Sequence, residues 1–219
     1  MKKKGIIFDM DGTVWDSAEN VAKSWTIKIH EAGYTDKSVT REDIQSVMGK
    51  PMDEIANILF PYTEKGPERD ALRFSCEKYE NEYLSEHGGI LYDGVIETWK
   101  KLKEMGYHIY IVSNCQAGYI EAFLGYYKID YGKPEDLVED IECYGNNFLQ
   151  KDENIRLLAK RNKLKAACYV GDIQSDYDAT TKAGLPFIHA KYGFGEIDAE
   201  VPYITTFEEL TKVVPEVIG

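Results

Sequence analysis

Short apolar runs alternate with segments of helical periodicity along most of the chain. The apolar runs end in polar or small residues, which is typical of buried parallel strands. They cover residues 4–9, 107–114, 166–172 and 185–190, with a weaker fifth run at 201–206. Segments between them repeat apolar residues at helical spacing, at 94–106, 152–162 and 176–184. This order of strand, helix and strand predicts an α/β fold with a doubly wound parallel sheet.

One long stretch near the amino terminus interrupts this alternation. No strand pattern is found between residues 16 and 88, whereas helical patterns occur at 17–32, 40–48, 51–60 and 67–86. Helices gathered between the first strand and the rest of the sheet predict an inserted α-helical cap domain. We therefore expect a Rossmann-like core of residues 1–15 and 89–219 and a helical cap of residues 16–88, with hinges near 14–16 and 88–89.

Composition and charge exclude several classes of partner. The 219 residues carry a formal net charge of −12, whereas a nucleic-acid site needs clustered Lys and Arg. No apolar run is long enough to span a bilayer. The four cysteines are widely spaced without a Cys-x-x-Cys pair, which favours reduced thiols. We expect a cytoplasmic protein with no nucleic-acid or membrane partner, and the oligomeric state stays open.

Polar residues stand where three of the predicted strands end. Because the carboxyl ends of parallel strands meet at one edge of an open α/β sheet, these residues should converge. The set comprises Asp9, Asp11, Ser113, Asn114, Asp172 and Asp176. Four acids in one place repel each other unless a cation joins them, and oxygen ligands of this kind suit Mg²⁺. A pair of aspartates at one strand end is by itself more often a turn or a helix cap.

Taken together, these motifs resemble a known family. The stretches "DMDGT" (9–13), "VSN" (112–114) and "GDIQSD" (171–176), with a lysine between the last two, are similar to the four motifs of the haloacid dehalogenase superfamily, in its phosphoglycolate phosphatase-like branch. The resemblance covers essentially the whole chain, including the helical insert. It implies a Mg²⁺-dependent phosphatase that hydrolyses a small phosphorylated metabolite, a phosphoglycolate-like phosphomonoester, through an aspartyl-phosphate intermediate.

The resemblance also implies a role for each acid. Asp9 would be the nucleophile, because a carboxylate needs no base to attack phosphorus. Asp11 would protonate the departing alkoxide and then activate water. Mg²⁺ would bind Asp9, the main-chain carbonyl of Asp11 and Asp172, while Asp176 would be either a further ligand or a residue that positions a ligand.

Phosphate binding is implied for a second group of residues. Ser113 would donate its hydroxyl and Asn114 its backbone N–H to phosphoryl oxygens, and Gly12 would allow close backbone approach. Two lysines compete for the third motif. Lys133 lies in "GKPEDL" and has the proline common in the family, whereas Lys151 directly precedes the helix that leads into the fourth motif. Position favours Lys151, and we expect Lys133 in a solvated loop.

Substrate selectivity is expected from the predicted cap and its hinge. Val14 and Trp15 are candidates at the hinge, and Lys50 is a candidate in the loop "MGKPMD" (48–53). Lys50 could offer a cation to an anionic leaving group, although a solvated surface lysine is at least as common. The histidines and the tyrosine-rich segments, such as 126–127, are interpreted as structural or exposed.

Rival functions remain open at this point. A haloacid dehalogenase would not need the second acid, so Asp11 favours phosphoryl chemistry. A sugar phosphomutase of the superfamily resembles the chain through Trp25, yet Val21 stands where a histidine is expected. An inorganic pyrophosphatase of the same superfamily and a non-catalytic phospho-accepting signalling module are further alternatives.

Overall fold

The computed structural model describes residues 3–219. Six parallel strands form one sheet in the order β5-β4-β1-β6-β7-β8, and two short strands form a separate antiparallel pair. The strands are β1 Lys4–Phe8, β2 Trp15–Asp16, β3 Ile90–Leu91, β4 Tyr107–Ser113, β5 Asp140–Cys143, β6 Ala166–Gly171, β7 Phe187–Ala190 and β8 Tyr203–Ile204. The helices are α1 Ala18–Glu31, α2 Arg41–Val47, α3 Met52–Leu59, α4 Pro67–His87, α5 Val95–Glu104, α6 Tyr119–Tyr126, α7 Tyr144–Asn147, α8 Lys151–Arg161, α9 Gln174–Ala183 and α10 Leu210–Ile218.

The predicted doubly wound parallel sheet is confirmed, with one strand more than the sequence indicated. β5 at the edge of the sheet was missed because its sequence, "DIEC", alternates acids with apolar residues. Arg161 from α8 holds the half-buried first acid of this strand, since its Nε and Nη2 donate to the two carboxylate oxygens of Asp140 at 2.6 and 2.8 Å. A charged edge strand also discourages pairing with another chain.

The four helices α1 to α4 lie between β2 and β3, as the sequence predicted for residues 16–88. We call α1 to α4 with their loops the helical insert. Trp15 pairs with Leu91 and Asp16 with Ile90 in the short β2–β3 ladder. This ladder brings the two ends of the insert together beside the carboxyl end of β1, so the insert stands over the edge of the sheet where the predicted site residues lie.

Apolar side chains fill both faces of the main sheet. On one face Phe8 of β1 packs against Trp99 and Phe207, each with ring centroids 5.5 Å away. On the other face Ile7 belongs to a cluster with Tyr110 and Leu158. Burial on both faces fixes β1 in the centre of the sheet and therefore fixes the position of the residues that follow it. No helix among residues 3–219 combines the length and the apolar character of a membrane span.

Candidate active site

Three buried carboxylates meet at the carboxyl ends of β1 and β6. Asp9 follows β1, Asp172 follows β6 and Asp176 lies in the first turn of α9. One carboxylate oxygen from each lies within 4.8 Å of the others. Asp9 is 4% exposed, and Asp172 and Asp176 are both 0% exposed. We call Asp9, Asp172 and Asp176 the acid cluster.

Lys151 supplies the positive charge next to the acid cluster. It is the first residue of α8, it is 4% exposed, and its Nζ donates to Asp9 Oδ1 at 2.9 Å and to Asp176 Oδ1 at 2.6 Å. Burial alone would lower the pKa of this ammonium, but the carboxylates of Asp176 and Asp9 raise it. Lys151 is therefore a fixed cation that bridges two of the three acids.

One ammonium does not balance three buried carboxylates. Burial and the neighbouring Asp176 raise the pKa of Asp9 to about 7, although Lys151 opposes this shift. Burial, Asp176 and Asp9 also raise the pKa of Asp172 well above its usual range. Fully ionised, the cluster with Lys151 has a net charge of −2, which a divalent cation would neutralise. Buried oxygen ligands at this spacing fit Mg²⁺.

Gly12 allows the backbone to pass directly over Asp172. Its φ is +80°, and a Cβ at this position would lie 2.0 Å from Asp172 Oδ2. The same carboxylate accepts from Thr13 Oγ1 at 3.1 Å and from the backbone N–H of Phe194 at 2.8 Å. Any side chain at Gly12 would push this carboxylate away, so glycine is required by both conformation and contact.

The side chain of Asp11 stands apart from the acid cluster. Its Oδ1 accepts hydrogen bonds from Ser17 Oγ and from Tyr119 OH, both at 2.7 Å. Burial raises the pKa of Asp11 to about 6, although these two hydrogen bonds oppose the shift. A carboxyl group held in one orientation, with a pKa near neutrality, can both give and take a proton.

Ser113 is the last residue of β4 and Asn114 follows it, and both reach the same region as Asp9 and Asp11. The Asn114 side chain connects the sheet to the helical insert, because its Nδ2 donates to the carbonyl of Gly49 at 2.8 Å. Its Oδ1 is buried, and no residue that the structure describes donates a hydrogen bond to it. This oxygen is therefore an open acceptor at the strand ends.

A cavity of about 50 Å³ lies between the strand ends and the helical insert. Such a volume holds only a few water-sized groups. Its floor is formed by Asp9, Asp11, Ser113, Asn114, Cys115, Gln116 and Tyr119. The insert contributes Val21, Trp25, Ile44, Val47, Met48, Gly49, Lys50, Met52, Ile55 and Glu80. The cavity is thus polar on the sheet side and mainly apolar on the insert side.

The three candidates for substrate selectivity lie in different environments. Lys50 lies at the cavity and is exposed. Val14 and Trp15 do not line the cavity, and both are 0% exposed. Trp15 instead packs edge-on against Phe123 with ring centroids 4.9 Å apart. Val14 and Trp15, the selectivity candidates at the hinge, thus lie outside the cavity wall, because the chain turns their side chains into the core.

The competing lysine, Lys133, lies in a different environment from Lys151. Lys133 is exposed, and its backbone N–H donates to Asp136 Oδ2 at 3.1 Å in a surface turn. The sequence-based choice of Lys151 over Lys133 therefore agrees with where the two side chains lie.

Among the polar residues that contact the predicted groups or line the cavity, sequence reasoning missed Ser17, Tyr119, Tyr169 and Glu80. Tyr169 OH lies 3.2 Å from Asp9 Oδ1 and donates to the carbonyl of Val112 at 2.7 Å. A tyrosine inside a buried strand needs a partner for its hydroxyl, so its place in "AACYVGD" was a usable signal. The other three lie on helices or loops whose approach is set only by tertiary packing.

Comparisons with known proteins agree with this geometry. The sequence model of the haloacid dehalogenase-like hydrolases matches residues 6–190. A phosphoglycolate phosphatase of Rhodobacter capsulatus is 26% identical over 95% of this chain and 94% of its own. The structure of a predicted phosphoglycolate phosphatase from Haemophilus somnus superposes with a TM-score of 0.79 at 20% identity, covering 98% of this chain and 99% of the other. CbbY from Rhodobacter sphaeroides, solved as a variant in complex with xylulose 1,5-bisphosphate, gives a TM-score of 0.76 at 18% identity, covering 96% of each chain.

Proposed function

The chain belongs to the haloacid dehalogenase-like hydrolase family, and from this membership we propose that it is a Mg²⁺-dependent phosphatase of a small phosphomonoester. The observation that carries the proposal is the acid cluster bridged by Lys151 beneath a small cavity. The relative from Rhodobacter capsulatus bears the name of a phosphatase of phosphoglycolate, so a phosphoglycolate-like compound is the first substrate to test.

The proposed reaction has two steps. In the first, a carboxylate oxygen of Asp9 attacks phosphorus in line, the bond from phosphorus to the leaving oxygen breaks, and Asp11 gives its proton to that oxygen. In the second, Asp11 takes a proton from water, the water oxygen attacks phosphorus, and the bond to Asp9 breaks. Phosphate leaves, and both carboxyl groups return to their starting state.

The surroundings of Asp11 support its role as acid and base. Ser17 and Tyr119 fix one of its oxygens, and the cavity gives the group access to a leaving oxygen. Lys151 holds Asp9 Oδ1 in the same way. Two carboxyl groups with different partners are thereby assigned different tasks, one as nucleophile and one as proton carrier.

The remaining core residues would bind the phosphoryl group. Lys151 presents an ammonium beside Asp9, and Ser113 with the backbone N–H of Asn114 would donate to phosphoryl oxygens. Mg²⁺ would be held by Asp9, Asp172 and the main-chain carbonyl of Asp11. Asp176 accepts hydrogen bonds from Lys151 Nζ and from the backbone N–H of Asp172. The ion would reduce the repulsion between the carboxylates and the phosphate.

We further propose that the helical insert is a cap over a core of residues 1–15 and 89–219, with residues 16–88 as the cap. The cavity between the two parts supports this division. Gly89 also supports it, because the chain packs closely at this boundary. A Cβ at Gly89 would lie 2.9 Å from the carbonyl oxygen of Asp16 in the connecting ladder. A cap that closes over the leaving group would exclude water from the first step.

The proposal is tested by phosphate release from a panel of small phosphomonoesters in the presence of Mg²⁺. The panel includes phosphoglycolate and, as a substrate with a good leaving group, p-nitrophenyl phosphate. Turnover above the rate of Asp9→Asn is the expected result. If no member of the panel releases phosphate faster than with this variant, the chain is not a phosphatase of this type.

Lys151→Ala is expected to lower kcat/KM far more than Lys133→Ala. A buried charge-assisted hydrogen bond contributes about 1.5–3 kcal/mol, which corresponds to about 10-fold to 150-fold in rate. Lys133 is exposed and should contribute nothing measurable. Both variants are compared with p-nitrophenyl phosphate, and their melting temperatures are recorded because Lys151 pairs with two buried acids. Equal kcat/KM values for the two variants would contradict the assignment of Lys151.

Lys50→Ala is expected to lower kcat/KM for phosphoglycolate by about twofold to fivefold, the usual range for an exposed charge pair. Lys50 lines the cavity but is exposed, so water screens its ammonium. The same change should leave p-nitrophenyl phosphate unaffected, because that leaving group has no carboxylate. The effect on phosphoglycolate should also shrink as the salt concentration rises, and an unchanged kcat/KM at low salt would remove Lys50 from substrate recognition.

A further inference from the structure

Helix α4 places one carboxyl group in the otherwise apolar insert wall of the cavity. Glu80 is 3% exposed and lines the cavity. Its Oε2 accepts from Trp25 Nε1 at 2.5 Å. This donor fixes one oxygen of the Glu80 carboxyl group. Among the described residues that line the cavity, it is the insert's one acid.

Packing alone does not explain an acid at this position. Burial of a carboxyl group is unfavourable, and burial raises the pKa of Glu80 to about 8. A glutamine would satisfy Trp25 Nε1 equally well without this penalty. The proposed catalytic steps use Asp9 and Asp11 and leave Glu80 without a task. A polar group fixed on the wall of a small cavity is instead suited to orient a ligand.

An open oxygen acceptor lines the same cavity. Asn114 Oδ1 is buried, and within residues 3–219 nothing donates to it. Its amide nitrogen is already engaged with Gly49 of the insert, which fixes the orientation of the side chain. A buried acceptor without a donor is unfavourable unless a ligand or water supplies one. Glu80 and Asn114 thus both favour a ligand that can donate a hydrogen bond.

We propose that Glu80, together with Asn114 Oδ1, selects phosphomonoesters whose short leaving group carries a hydroxyl. This inference rests on the proposed phosphatase function and specifies its substrate class. A hydroxyl can hydrogen-bond to a carboxyl group whether that group is ionised or neutral. A substrate carboxylate has no hydrogen to donate to Asn114 Oδ1, and an alkyl end would likewise leave that buried oxygen unpaired.

Lys50 favours an anionic leaving group, but less strongly than Glu80 favours a hydroxyl. Lys50 is exposed, whereas Glu80 is buried and accepts from Trp25 Nε1. Water and salt weaken the interactions of an exposed charge much more than those of a buried group. The net preference of the cavity should therefore follow Glu80. The small size of the cavity favours a short leaving group.

Three matched substrates test the proposal: 2-hydroxyethyl phosphate, phosphoglycolate and n-propyl phosphate. They share a short leaving group and end in a hydroxyl, a carboxylate and a methyl group. We expect the wild-type kcat/KM for 2-hydroxyethyl phosphate to exceed each of the others by about tenfold or more, the usual effect of a lost buried hydrogen bond. Ratios measured on one protein sample do not depend on the fraction of molecules that are folded.

Variants at Glu80 separate its polar contact from its packing. Glu80→Leu should reduce the preference for the hydroxyl over the methyl group to within about twofold, because the polar contact is gone. Glu80→Gln should keep that preference, because it retains a polar group on the cavity wall and an acceptor for Trp25. Glu82→Gln is the matched control, since Glu82 is exposed on the same helix, and it should leave all three ratios unchanged.

Two results would overturn the selection proposed for Glu80. One is a wild-type preference for phosphoglycolate or for n-propyl phosphate over 2-hydroxyethyl phosphate. The other is an equal change for all three substrates in Glu80→Leu, which would give Glu80 a structural role only. Failure of the phosphatase function looks different, because then p-nitrophenyl phosphate also would not be hydrolysed, and the selection inferred for Glu80 would fall with it.

Discussion

Asp9→Asn is expected to lower kcat by about four orders of magnitude or more, the scale seen when a catalytic nucleophile is removed. The amide has nearly the same shape as the carboxylate but is a poor nucleophile toward phosphorus. Its carbonyl oxygen can still accept from Lys151, whose Nζ lies 2.9 Å from Asp9 Oδ1. The loss should therefore be chemical rather than structural, and it is measured as phosphate release under saturating substrate.

The stability of the variant distinguishes lost chemistry from lost folding. Asn at position 9 removes one charge from a buried group of acids, so the free energy of unfolding should be unchanged or higher. Asp93→Asn is a matched control, because Asp93 is exposed in a loop outside the cavity, and it should retain full activity. In the wild type, rapid quenching with labelled substrate should place the phosphate on Asp9. A label on Asp11 or Asp172 would contradict the proposed nucleophile.

Much of this arrangement could be predicted because buried parallel strands have a simple sequence pattern. The apolar runs that end at Asp9, Ser113 and Asp172 predicted β1, β4 and β6, and these strands are neighbours in the sheet. Residues that follow neighbouring parallel strands must lie close together, whatever their separation in sequence. The meeting of Asp9 with Asp172 therefore follows from topology alone.

Other parts were hidden because their sequence signals are shared by ordinary structure. The edge strand β5 alternates acids with apolar residues and was not distinguished from a loop. Glu80 lies on the long helix α4 among other acids, and only the packing of α4 against α1 turns it toward Trp25. Tyr119 resembles any core aromatic until its hydroxyl is placed 2.7 Å from Asp11. Such contacts depend on the angle between elements, which a periodic pattern does not contain.

The hinge residues show the opposite error. Val14 and Trp15 lie directly after the "DMDGT" motif, so nearness in sequence indicated nearness to substrate. In the structure the backbone N–H of Val14 donates to the carbonyl of Met10 at 2.8 Å, which closes a tight turn. The turn directs the side chain of Trp15 toward Phe123 and away from the cavity. A change of chain direction over a few residues thus separates neighbours in sequence into different environments.

Removal of Mg²⁺ is expected to reduce phosphate release to the level of Asp9→Asn. The acid cluster and Lys151 together have a net charge of −2 when ionised, so a phosphate dianion would meet uncompensated negative charge. The experiment is chelation followed by titration with Mg²⁺, with phosphate release as the measurement. Ca²⁺ should restore little activity, because its larger and looser coordination shell would disturb the in-line geometry. Full activity in chelated buffer would contradict the metal requirement.

Binding can be measured without activity through the melting temperature. A cation at ten times its Kd that binds only the folded state stabilises it by about 1.4 kcal/mol, which corresponds to about 3–6 °C for a chain of this size. Asp172→Asn should abolish this increase, because it removes a buried ligand between Thr13 and Phe194. Asp178→Asn is the matched control on α9, since Asp178 is exposed and outside the acid cluster, and it should keep the increase. An equal increase in melting temperature with Mg²⁺ in both variants would show that the cation binds elsewhere on the protein.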